Sequence, residues 1–230
     1  KKTFNISAIV AAALKNDEVL QYSACLPENK RKILYIDTEQ SKYHCHKVME
    51  RICRLADIPT DKDNKDFIFI VLREYTPTMR KLIIDYMLKN MEDIGLVIID
   101  GIRDLMYDIN SPSESSELIN LFMKWSGEYN LHIHTVLHLN KGDDNTRGHI
   151  GTELNNKAET VLQITKSSQD VNISEVKAMH IRDKDFEPFA FRINDDALPE
   201  VVKDYAFERT KQERGFSLTE LTEQQHRQAL

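Results

Sequence analysis

Six residues, Leu96-Val97-Ile98-Ile99-Asp100-Gly101, constrain the fold of this chain more than any other stretch. The run of four apolar side chains, three of them β-branched, leaves a strand no polar face to turn toward water. Such a strand belongs in a sheet covered by helices on both sides, the arrangement of parallel α/β proteins. The run then stops on a carboxylate and a glycine. Open α/β sheets take their ligands beyond the carboxyl ends of the strands, so Asp100 stands at the edge where chemistry is done.

The rest of the chain alternates around that strand. Residues 3–15 place Ile6, Ile9, Val10, Ala13 and Leu14 at helical spacing. Ile33 to Ile36 forms an apolar strand that ends in Asp37-Thr38-Glu39-Gln40. An amphipathic helix follows over 41–56, with Cys45, Val48, Met49, Ile52 and Ala56 on one face. Phe67–Leu72 reads as a third strand. Met79, Leu82, Ile83, Tyr86, Met87, Met91 and Ile94 then keep the 3.6 period of a further helix. Ser111-Pro112-Ser113-Glu114 is a capping box with proline at the first helical position, opening a helix that runs to Asn130. A strand over 131–139 comes next. Alternation at this spacing predicts a mostly parallel, doubly wound sheet. A short helix at 152–159 precedes strands at 160–165, 176–181 and 189–193, expected as antiparallel additions at the sheet edge. From residue 195 the chain turns polar, and Ser217-Leu218-Thr219-Glu220 opens another helix.

Composition narrows the function classes. A net charge of −6 excludes a protein that coats nucleic acid through diffuse positive charge. Cys25, Cys45 and Cys53 read as reduced thiols, not a disulfide framework, and no membrane span or signal peptide is visible. A cytoplasmic protein is expected. The sequence opens on Lys1-Lys2-Thr3 and stops at Leu230 inside a helical stretch, so further residues are expected at both ends.

Lys2-Thr3 at the start of a helix matches the end of a phosphate-binding loop, where the lysine meets phosphates and the threonine hydroxyl meets Mg²⁺. Lys1 stands where that motif places glycine. With Asp37-Thr38-Glu39, Ile99-Asp100-Gly101-Ile102-Arg103, His138-Leu139-Asn140-Lys141-Gly142 and Arg147-Gly148-His149-Ile150-Gly151, the chain resembles the RecA-like P-loop ATPase core. The branch it resembles contains the replicative hexameric helicases and the plasmid RepA helicase. The resemblance spans 1–194, leaving 195–230 as a polar extension, and implies that the first strand and most of the phosphate loop precede Lys1. A weaker similarity links Asp-Thr-Glu-Gln-Ser to mobilization ATPases of bacterial mobile elements.

The resemblance implies a role for each matched residue. Lys2 and Asn140 would bind the phosphates of ATP, and Thr3 and Asp100 would hold Mg²⁺. Glu39 would activate water, and His138 would sense the γ-phosphate. Arg182 would complete a neighbour's site in a homo-oligomeric ring. Lys141, Arg147 and His149 would touch single-stranded DNA, and replication or mobilization proteins would be further partners.

Two other readings compete. His132, His134 and His138 share strand parity and with Asp100 would suit a metal phosphoesterase. A nucleotide- or DNA-binding scaffold without catalysis is the second.

Overall fold

A computed structural model describes residues 1–138 and 148–207. The chain opens with α1 (Lys2–Lys15), closed by Asn16 in the left-handed region. A small hairpin of β1 (Glu18–Val19) and β2 (Tyr22–Ser23) follows. Next come β3 (Lys32–Asp37), α2 (Lys42–Leu55), β4 (Phe67–Val71) and α3 (Pro77–Asn90). The alternation continues through β5 (Ile94–Asp100), α4 (Pro112–Tyr129), β6 (His132–Val136) and α5 (Gly148–Lys157). The described chain closes with β7 (Thr160–Lys166), β8 (Ile173–Ile181), β9 (Phe189–Ile193) and β10 (Pro199–Val201).

Four strands form a parallel sheet in the order β4-β3-β5-β6. The side-chain period of two divides its core cleanly. Ile33, Tyr35, Leu96 and Ile98 face α1 and α2, packing with Ile6, Val10, Val48 and Ile52. Leu34, Ile36, Val97 and Ile99 face the other way, against Ile84, Leu88, Leu118, Phe122 and Trp125. Every residue of β5 is buried, as its unbroken apolar run requires. The doubly wound α/β fold expected from the sequence is the fold observed. Gly95 is where this strand crosses the Lys30 carbonyl, since a Cβ there would sit 2.0 Å from that oxygen.

The later strands are antiparallel as expected but are not additions to the parallel sheet's edge. Among the described residues they pair only with one another, in the order β10-β9-β8-β7, because each strand's pattern leaves its partner open. Val176, Phe189 and Phe191 pack there with Phe4, Leu20 and Tyr22, tying this sheet to α1 and the β1–β2 hairpin. β10 lies beyond residue 194 and extends the sheet through its pairing with β9.

Helix α3 departs from its expected face. Arg80, Ile84 and Leu88 are its buried residues, while Met79, Leu82 and Tyr86 are exposed. Ile83, Met87 and Met91 of the expected stripe do pack against the core, so periodicity found the right side of the helix but centred it one position off, and Ile94 belongs to β5. Ser111 caps α4 by accepting the Glu114 amide at 3.3 Å. The Glu114 carboxylate reaches past Ser111 to the Tyr107 amide at 2.9 Å, fastening the loop after β5 to this helix. The helix expected at Ser217 lies outside the described residues.

Candidate functional site

Strands β3 and β5 run in register, Asp37 opposite Asp100, so two carboxylates arrive together at the carboxyl edge. Asp37 is fully buried and builds the turn after its own strand. Its carboxylate accepts the amides of Glu39 at 3.0 Å and Gln40 at 2.7 Å, and the Gln40 side-chain amide at 2.7 Å. Asp37 is therefore committed to shaping the loop that carries Glu39.

Asp100 is 7% exposed and accepts the Tyr35 hydroxyl at 2.8 Å. Burial raises its pKa to about 6. The carboxylates of Asp37 and Glu39 push the same way, and the Tyr35 hydrogen bond opposes them. Gly101 follows at φ 109°, a conformation open to glycine, and packs under Thr38 and Glu39. The Thr38 hydroxyl lies within hydrogen-bond reach of the Gly101 carbonyl at 2.9 Å, Asp104 Oδ2 at 3.0 Å and the Asp100 carbonyl at 3.2 Å.

Glu39 stands on that turn with its Oε2 3.5 Å from His138 Nε2. The hydrogen bond from His138 holds the Glu39 carboxyl below the usual carboxylate range against the pull of burial. The charges of His138, Arg103 and Lys2 help. Lys2, first residue of α1, donates its ammonium to the Leu137 carbonyl at 2.6 Å. Burial lowers its pKa, and the charges of Glu39 and Asp100 oppose that shift. Lys2, Glu39, Asp100 and His138 thus lie within one another's field at one end of the sheet.

A cleft of about 450 Å³ opens beside them, lined by Thr38, Glu39, Arg73, Arg103, Asp104 and His138 among others. Thr3 lies in the first turn of α1 beside Lys2, half-buried. His149 is exposed on the first turn of α5. Arg182 directly follows β8 and is not brought into the cleft. Its guanidinium donates to the Asn156 carbonyl at 3.1 Å and faces Glu159 at 3.9 Å. Asn140, Lys141 and Arg147 lie outside the described residues.

The three histidines of the metal reading do not converge. The rings of His132 and His134 are 6.5 Å apart on β6, whereas His138 pairs with Glu39. Burial first, and His132 second, push His134 down to about 4, so it is neutral at pH 7. Among the described residues no three His, Cys, Asp or Glu side chains are grouped to hold a metal ion. No described helix is long and apolar enough to cross a membrane.

Sequence reasoning overlooked Tyr35, Arg73 and Arg80 and assigned Arg103 and Asp104 no task. A tyrosine inside an otherwise aliphatic buried strand, two residues before Asp37, was the available signal for the first. Thr76-Pro77 was the signal for Arg80: Thr76 caps α3, which sets Arg80 in its first turn, beside the sheet edge.

The family model described as "AAA domain" matches residues 2–144, a span that contains Lys2, Glu39, Asp100 and His138. No curated protein matches the chain.

Proposed function

The chain belongs to the AAA domain family, a family of P-loop ATPases, and on that premise we propose a Mg-ATP-dependent ATPase of the RecA/RepA helicase type. Its work would be DNA-associated, in replication or mobilization of a plasmid or other mobile element. The observation that carries this reading is Glu39, held ionised against His138 at the sheet edge that also presents Asp100 and Lys2.

Phosphoryl transfer to water needs positioning and charge neutralisation more than covalent help. Mg²⁺ in such sites takes one or two carboxylates and completes its shell with waters and phosphates. Asp100 fits that demand. It is a buried carboxylate beside two others, and its second oxygen accepts no hydrogen bond from the described residues. Asp100 and the Thr3 hydroxyl are the ligands we assign; the ion would neutralise the phosphates. Lys2 adds a second positive charge at the helix start. Glu39, already ionised, orients water and takes its proton. His138, touching Glu39 and leading into residues 139–147, relays γ-phosphate state to Asn140 and to the DNA-binding groups Lys141, Arg147 and His149. Arg182, exposed and outside its own cleft, acts on a neighbour's site in a homo-oligomeric ring.

The test is steady-state ATP hydrolysis by the full natural protein, with and without Mg²⁺ and single-stranded DNA. Mg-dependent turnover that rises with DNA and is lost in Glu39→Gln supports the reading. Turnover indifferent to Glu39→Gln removes the catalytic assignment, and turnover indifferent to DNA removes the DNA association.

A further inference from the structure

Arg80 is 8% exposed, on the buried face of α3, where an arginine is an uncommon core residue. No carboxylate lies within ion-pair distance of it among the described residues, although its charge is felt by Asp104. Its Nε donates to the Leu72 carbonyl at 2.9 Å, one Nη to the Arg73 carbonyl at 2.8 Å, and the other to the Asp104 carbonyl. Those carbonyls belong to two separate loops, one after β4 and one after β5. Lysine could not span them, because its charge is a point on a flexible stem, whereas the guanidinium is a rigid fork.

Asp104 is the link onward. Its carboxylate is 3.0 Å from the Thr38 hydroxyl, and its amide donates to the Gly101 carbonyl at 3.0 Å. Thr38 precedes Glu39 directly and donates its own amide to the Asp100 carbonyl at 3.1 Å. We infer that Arg80 is a positioning residue: through Asp104 and Thr38 it locks the turns after β3 and β5 together, holding Glu39 against His138 and aimed into the cleft. Arg80 borders the cleft, yet each of its three hydrogen bonds goes to a backbone carbonyl, so the role assigned to it is to hold those loops. The inference deepens the ATPase reading above and rests on it for its catalytic part.

The experiment compares Arg80→Met, Arg80→Lys, Thr38→Val and Thr38→Ser in the full natural protein. Mg-ADP affinity is read by calorimetry, hydrolysis by kcat and KM, and the two turns by amide hydrogen exchange. Both Arg80 variants and Thr38→Val should lower kcat by roughly 10- to 100-fold, the scale of a displaced catalytic group, with nucleotide affinity and KM within about twofold of wild type. Thr38→Ser keeps the hydroxyl and should restore most of kcat. Exchange in the turns 38–40 and 101–104 should quicken in Arg80→Met while the α1 amides keep their protection. Unchanged exchange in those turns overturns the positioning role even if the protein hydrolyses no ATP, in which case the ATPase reading fails separately. Faster exchange with unchanged kcat overturns the link to catalysis. Thr38→Ser as slow as Thr38→Val assigns the effect to packing and also overturns it. Should Arg80→Met not fold, Thr38→Val and Thr38→Ser decide alone, through the same kcat and exchange readings.

Discussion

The two ends of the parallel sheet use the same strands and differ in what their charges do. At the amino end, Lys32 donates to the Glu92 carbonyl at 3.0 Å and Lys30 to the Tyr129 carbonyl at 2.7 Å. These cations tie off loose backbone and keep contact with water. At the carboxyl end, Asp37, Asp100 and Glu39 crowd together, and burial drives Asp100 up to about 6. One end is arranged to hold the fold and the other keeps like charges together at a cost in stability. Strain of that kind concentrates where chemistry is done.

The largest expected effect lies at the amino end and is purely structural. Gly95→Ala would put a Cβ 2.0 Å from the Lys30 carbonyl oxygen, a backbone atom that cannot swing away. Overpacking of this sort costs about 3 kcal/mol, at the upper end of its usual range. Urea unfolding should show the loss, and the folded fraction should keep wild-type turnover. A variant as stable as wild type would show that the amino end is slack.

Glu39→Gln is the counterpart at the other end. Turnover should fall by about 10²-fold, or about 2.7 kcal/mol in the barrier, while nucleotide affinity stays. Its urea midpoint should stay close to wild type, since Glu39 is partly exposed and paired across 3.5 Å with an exposed histidine. If stability falls as far as activity does, the division between the two ends fails.

Legibility in the sequence followed the same division. The strands, their order of appearance and the carboxylates at their ends were readable because burial on both faces writes an unbroken apolar run. The position of Asp100 and of Asp37-Thr38-Glu39 at strand ends was read that way, and the role expected of Glu39 came from the family resemblance. The grouping of β7 to β10 into their own sheet was not readable, because strand pairing is a nonlocal choice that each strand's pattern leaves open. The buried face of α3 was only partly readable: Ile83, Met87 and Met91 do pack on the core, but Met79, Leu82 and Tyr86, which keep helical spacing too, are exposed. Arg80 was invisible for a related reason: an arginine among lysines on a helix reads as solvated until its carbonyl partners are known. Tyr35 read as core, and its hydroxyl on Asp100 depends on the register of two strands.

Asp100→Asn sharpens the contrast by moving function and stability in opposite directions. The amide oxygen can still accept the Tyr35 hydroxyl, so the geometry survives. Mg-nucleotide affinity should drop, read by calorimetry. In metal-free buffer at pH 7 the variant should be more stable by roughly 1–3 kcal/mol, because a buried carboxylate facing two others has lost its charge. The sign follows from the raised pKa. The folded form holds its proton up to about 6 and the unfolded form releases it near 3.8, so wild type loses this stability as pH rises through that window. The variant should therefore gain most above pH 6 and nothing below pH 4. A variant less stable than wild type at pH 7 would mean that the ionised carboxylate is well solvated.

The smallest effect is expected from Lys32→Ala at the amino end. Its ammonium lies 4.0 Å from Asp93 Oδ2, and the aspartate side chain is 54% exposed. Ion pairs in that setting contribute about 0–1 kcal/mol, because water screens the attraction and the flexible stem must be ordered to form it. The Lys32 backbone amide still donates to the Asp93 carbonyl at 2.9 Å after the side chain is cut, so the strand keeps its register. Counting the exposed hydrogen bond to the Glu92 carbonyl that goes with it, the variant should lose at most about 1 kcal/mol, and it should hydrolyse ATP at the wild-type rate. A double-mutant cycle with Asp93→Ala checks the pair directly, with a coupling near zero expected. Strong coupling at this exposed pair would give the amino end a charge as consequential as those around Asp100, and the contrast between the two ends would then rest on burial alone.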